Sequence, residues 1–141
     1  PIMIHNENDI IATEKLANIG EYFKEELSIT LENNIITLES VWINNDICQI
    51  KLSGKEKFTE SYFQANNYEL KTTDKEAEIN IQVLYGRFDS KNAGHVALNT
   101  FELENESQML VDSNLLIIRE NYLYNYKNIL NLSKKIIENH L

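Results

Sequence analysis

One cysteine, one proline and four glycines are all that a chain of 141 residues contains of these types, and each scarcity closes off a class of protein. A lone thiol, Cys48, cannot form an internal disulfide, which excludes the small secreted scaffolds held by several bridges and points to a reducing compartment. Four glycines leave little material for a phosphate-cradling loop, and the G-x-S-x-G, H-E-x-x-H and paired C-x-x-C signatures are absent. No apolar run approaches the roughly 18 to 20 residues of a membrane span. The stretch Pro1 to His5 lacks the basic-then-apolar pattern of a secretory signal, so a cytoplasmic location is expected. Linker-like and low-complexity stretches are missing too, which leaves one domain over 1–141.

Positive charge is also scarce. Lysine and arginine number 13 against 22 acids, for a net charge of −9. Residues 1–70 hold 12 acids and five bases, a net of −7, whereas 71–141 hold ten acids and eight bases, a net of −2. Such a field repels phosphate and anionic lipid and attracts cationic protein. Nucleic acid and membrane are therefore disfavoured as partners, and a basic protein is favoured.

What is present is apolar patterning, at 43% hydrophobic residues. Ala12, Leu16, Ile19, Phe23 and Leu27 recur at helical spacing, which predicts a helix over 10–27 capped by Asn8 or Asp9. Three β segments follow, near 27–31, 35–43 and 48–52, forming an antiparallel meander. In the second, Ile36, Leu38 and Trp42 alternate on one face and Ile35, Val41 and Ile43 on the other, the pattern of a strand covered on both sides. Ser53 to Glu56 has the S-x-x-E form of a capping box and predicts a short helix through Phe58, Tyr62 and Ala65, although these aromatics suit a strand equally. Strict alternation from Ala77 to Gly86 predicts a half-buried strand, His95 to Leu103 predicts another, and Met109 to Val111 an edge. Finally, Ile118, Tyr122, Ile129, Leu132 and Ile136 form a stripe that predicts a helix over 113–139, capped by Asp112 or Ser113. The expected class is α+β: an antiparallel sheet of five to six strands with an N-terminal helix and a long C-terminal helix packed on it. The element order α-β-β-β-α-β-β-α resembles that of type III secretion chaperones. The resemblance covers most of the chain as topology alone, without a motif, and implies a dimeric carrier of a secreted effector.

Candidate chemistry is sparse. His5, His95 and His140 are far apart, and only His95 sits on a predicted element; a strand-end histidine is preferred to an acid–base pairing with Asp89 or Tyr85. Cys48 falls on an apolar strand face and reads as a small hydrophobe, not a nucleophile. No catalytic set, metal-ligand set or cofactor motif emerges. Glu102, Glu104 and Glu106 alternate, Asp112 follows, and from Asn92 through Ile118 there is no lysine or arginine. Alternation places the three glutamates on one side of the chain, where they repel each other unless a cation approaches. Three uses compete: a solvated edge that discourages sheet-to-sheet association, a docking patch for a basic protein, or a metal site, the last disfavoured without a glycine-turn loop. Tyr122 and Tyr126 are an i, i+4 pair expected in the core, while Tyr124 is free to anchor a partner or to lie along the protein's own surface.

These features favour an immunity or antitoxin-type inhibitor that occludes a basic bacterial toxin such as a nuclease, with Glu102, Glu104, Glu106, Asp112 and Tyr124 as the partner-binding residues. The secretion chaperone is the alternative. A cone-like domain enclosing a small molecule, lined by Trp42, Tyr85, Phe101 and His95, is the third.

Overall fold

The computed structural model describes residues 27–140. Strands β1 (Ser28–Leu31), β2 (Asn34–Asn44) and β3 (Ile47–Gly54) form the expected antiparallel meander. The β2–β3 turn places Asn45 at φ 59°, a left-handed geometry that asparagine tolerates better than most residues. Within β2 a bulge between Leu38 and Ser40 shifts the register. Ile36 and Leu38 face the core before it, and Val41 and Ile43 pack toward the core after it, so Ile35 and Trp42 both point outward. The two-sided reading of this strand is thereby corrected. An extra residue inverted the phase of the alternation, and Trp42 is 60% exposed.

Strands β4 (Ser61–Gln64), β5 (Tyr68–Thr72) and β6 (Glu76–Gln82) form a second meander. Strand β6 pairs with β3, giving a six-stranded sheet ordered β1-β2-β3-β6-β5-β4. No helix occurs over 55–67. The Glu56 amide donates to Asn34 Oδ1 (2.7 Å), the Glu56 carbonyl accepts from Asn34 Nδ2 (3.1 Å), and Phe58 N donates to Asp74 O (3.1 Å). These backbone groups are committed to distant partners, and Phe58 is buried as an irregular crossing residue. The element order behind the chaperone resemblance is therefore not the one found.

The alternation from Ala77 to Gly86 is cut at Val83, whose N–H donates to Asp46 O (2.8 Å). Beyond it β7 (Leu84–Arg87) joins a second sheet with β8 (Ala93–Leu98), β9 (Leu115–Glu120) and β10 (Leu123–Tyr124), in the order β10-β9-β8-β7. A single α-helix, α1 (Tyr126–His140), follows among the described residues. It starts well after the predicted position. Asn125 is its cap, accepting the Asn128 N–H on Oδ1 (3.0 Å), and the four apolar residues from Leu115 to Ile118 form a strand instead. The helix predicted over 10–27 lies outside the described residues except for Leu27, whose carbonyl accepts Leu38 N (2.8 Å) beside β1.

The inner face of the six-stranded sheet supplies Ile36, Cys48, Ile50, Leu52, Leu70, Ile79 and Ile81 to one core, where they meet Leu116 and Ile118 of β9 and Ile129, Leu132 and Ile136 of α1. Each large aliphatic side chain so buried contributes about 1.5–3 kcal/mol. Burial pushes the Cys48 thiol up to about 12, so it stays protonated and packs as an apolar group. The fold is thus antiparallel α+β, built on two sheets and a C-terminal helix. No described helix is long and apolar enough to cross a membrane.

Candidate functional site

Between β8 and β9 the chain is irregular, and neither the extension of a strand to Leu103 nor an edge strand at Met109–Val111 forms. The alternation nevertheless persists in burial. Phe101, Leu103, Asn105, Ser107, Met109 and Val111 are half-buried, while Glu102, Glu104, Glu106 and Asp112 are exposed between them. The three glutamates are exposed at alternate positions, on a strap that pairs with no neighbouring strand.

Asparagine side chains hold the strap in place of a strand. Asn105 acts as a backbone mimic along β9, accepting Ile117 N–H on Oδ1 (2.9 Å) and donating Nδ2 to Leu115 O (2.9 Å). Asn128, fully buried in the first turn of α1, donates Nδ2 to Ile117 O (2.8 Å) and to Asn105 Oδ1 (3.2 Å), and accepts the Glu106 N–H (3.0 Å). Asn125 donates Nδ2 to Glu106 O (3.1 Å) and to Glu120 Oε2 (3.0 Å), while Glu120 Oε1 accepts from Ser107 Oγ (2.8 Å). At the other end Asn99 accepts Leu103 N–H (2.8 Å) and donates to Leu103 O (2.7 Å) and Ser113 O (3.0 Å). Both backbone polar groups of Glu106 and of Leu103 are thus satisfied by amide side chains. Among the described residues no hydrogen bond or ion pair engages the carboxylates of Glu102, Glu104 or Glu106. Glu102 has φ 54°, a region that costs a residue with a Cβ about 1 kcal/mol.

The chain matches no protein-family model, no curated protein and no solved structure. Its function must therefore be argued from the side chains. Among the described residues no group of three His, Cys, Asp or Glu is placed to hold a metal ion, and the extended strap spaces its carboxylates apart.

Tyr124 lies elsewhere than expected for a free anchor. It is half-buried on β10 and packs against the core cluster, with the Arg119 guanidinium 5.3 Å from its ring centre and Tyr126 at 6.5 Å. Burial raises its hydroxyl pKa, and more strongly that of Tyr126, to about 12. Among the described residues the rings that stand in solvent are Tyr85, at 71% exposure, Trp42 and Tyr62. Trp42, Tyr85, Phe101 and His95 do not line a common cavity: the first two are exposed, and Phe101 packs toward Tyr68 at 6.1 Å.

His95 meets Tyr85 edge-on at 5.3 Å and pairs with Arg119 across the β8–β9 ladder. Its Nδ1 and the Arg119 Nε are buried without a hydrogen-bond partner. Asp89 does not serve His95; it caps its own turn, accepting the Lys91 and Asn92 amides at 2.7 and 2.8 Å. Burial, reinforced by the Arg119 charge, holds His95 below its ordinary range. The unfolded chain takes up this proton near pH 6.5 and the folded chain only at lower pH, so acidification favours unfolding through that window. His95→Gln is expected to lessen the fall in Tm between pH 7.5 and 5.5, with the carboxylates common to both proteins. Identical falls would show that His95 is not the group responsible.

Proposed function

We propose that this chain is a non-catalytic binding protein whose strap docks the cationic face of another protein, and that an inhibitor of a basic toxin such as a nuclease is the class it suits best. One observation carries the reading: three exposed glutamates, with no hydrogen bond or ion pair to their carboxylates among the described residues, alternate along a strap whose backbone is fixed by asparagine side chains. A held backbone needs no ordering on encounter, so the attraction is offset by side-chain entropy but not by the loop entropy that a mobile segment would lose. The geometry of Glu102 supports the same reading. A glutamate in a left-handed conformation costs stability that asparagine or glycine would avoid, and strain of this kind accumulates at functional positions. A nuclease must present positive charge to phosphate, and a carboxylate row occupying that surface blocks it.

The test is inhibition of a panel of small basic ribonucleases and deoxyribonucleases at equimolar chain, in low and in high salt. Inhibition of a panel member that weakens as salt rises is expected; inhibition unaffected by salt contradicts the strap as the docking surface. Glu102→Asn separates the two roles of that residue. It is expected to raise stability, since asparagine accepts the left-handed geometry, while weakening inhibition.

A further inference from the structure

The β1–β2 turn, the crossing from β3 to β4 and the end of α1 together border an open cleft of about 910 Å³. This is within the size range of small-ligand sites. Phe58, Phe63, Leu31 and Ile137 give it an apolar floor, and Glu32, Glu56 and Glu138 stand around it. All three carboxylates are exposed, and among the described residues none is engaged by a hydrogen bond or an ion pair. Among the described residues Lys57 is the one ammonium in the lining, and three carboxylates against one base give these residues a net of −2. The end of α1 that borders the cleft, at Ile137, Glu138 and His140, is its C-terminus, where unpaired carbonyls concentrate the negative pole of a 15-residue helix. His140 is fixed there by stacking on Phe63 at 4.8 Å and by a 2.7 Å hydrogen bond between its Nε2 and the Tyr68 hydroxyl.

We infer that this cleft binds an organic cation: a ligand with an apolar body seated on Phe58 and Phe63 and an amine directed to Glu32, Glu56 and Glu138. The class follows from the combination of groups. An apolar floor alone would take any hydrophobe, and a carboxylate ring alone any cation. An apolar floor beside carboxylates favours one molecule with both properties, its body seated on the floor and its charge directed to the carboxylates. The negative helix end adds to the same preference. An anionic ligand of the same shape meets repulsion from every one of these groups except Lys57. The inference is independent of the strap, which uses other residues.

The experiment is isothermal titration of the whole chain with three probes that share one body: n-hexylamine, n-hexanol and n-hexanoate, at pH 7 and low salt. The amine is expected to bind at least tenfold more tightly than the alcohol, and the carboxylate not at all. The exposed triple variant Glu32→Gln, Glu56→Gln, Glu138→Gln should keep the fold, checked by its circular dichroism and Tm, and bring the amine down to the affinity of the alcohol. Phe63→Ala should weaken amine and alcohol alike. Equal affinity for amine and alcohol in the unmodified chain, amine binding unaltered in the folded triple variant, or no heat from the amine at 10 mM would each overturn the inference.

Discussion

Gly94→Ala is expected to abolish folding or leave an insoluble chain, the largest effect of a single added methyl group at the three described glycines. Gly94 lies on β8 opposite Gly86 on one side and Glu120 on the other, and it is buried. A Cβ at Gly94 would overlap the backbone carbonyl oxygen of Arg119, with Phe88 Cε2 at 3.1 Å leaving no room to rotate away. The obstacle is a paired strand and not a flexible side-chain tip, so relief requires β8 and β9 to separate. Overpacking of a core normally costs about 1–3 kcal/mol; a clash with ladder backbone exceeds that and takes a large part of a domain stability of about 5–15 kcal/mol. Gly86, the cross-strand neighbour, is the control. Nothing lies within 4 Å of a Cβ there, so Gly86→Ala should change Tm little. Chemical denaturation of both variants checks the pair, and a folded, stable Gly94→Ala protein would mean that β8 and β9 do not approach as closely as described.

Asn128→Ala comes second. The substitution removes a fully buried amide that ties α1 to three groups on two other segments: Ile117 of β9, and Asn105 and the Glu106 backbone of the strap. Alanine leaves the Ile117 carbonyl without its Asn128 donor and the Glu106 N–H without its acceptor, and each buried orphan costs about 1–3 kcal/mol. A loss of about 2–4 kcal/mol is expected. The loss should be coupled to Asn105, since the two side chains bond each other and share β9. In a double-mutant cycle Asn105→Ala should cost much less in the Asn128→Ala background than alone. Hydrogen exchange adds a local readout, because the Glu106 and Ile117 amides should lose protection before the core of the six-stranded sheet does. Additive losses with unchanged protection at Glu106 would mean that the strap is held by its apolar contacts alone.

The ease with which these features are read from the sequence differs for physical reasons. Alternation located β1, β3 and β6 because each presents one face to the core and one to water, and period two then appears directly. It misled in β2, where the bulge at Glu39 exchanges the faces, so that Trp42 seemed to belong with Ile36 and Leu38. It also ran on without a break from β6 into β7, since a chain that changes sheet at Val83 keeps the same period. The four apolar residues from Leu115 to Ile118 suit a helix start or a strand buried on both faces equally well; the strand wins because Leu116 and Ile118 enter the main core while Ile117 is buried outside it. Downstream, Ile129, Leu132 and Ile136 were placed on the helix correctly, as period 3.6 is unambiguous over 15 residues. The glutamate row was legible, since exposure alternates with or without a ladder. The asparagines behind it were not. Asn99, Asn105, Asn125 and Asn128 each resemble a turn residue or a cap, and their bonds reach across as many as 23 positions. A local pattern carries no information about such partners, although four asparagines in and around one acidic segment point to amide side chains bonding the backbone.

The most direct measurement is the association rate of the chain with a basic nuclease of the panel proposed above, followed by stopped flow from 20 to 500 mM salt, for the unmodified chain and for the variant Glu102→Gln, Glu104→Gln, Glu106→Gln. Electrostatic steering accelerates encounter by about 10- to 1000-fold. The unmodified chain should therefore associate at least tenfold faster than the variant at 20 mM salt, and the two should converge at 500 mM while both keep the same Tm. Equal rates and equal salt dependence would contradict the account, and would leave the three glutamates as a solvated border of the sheet.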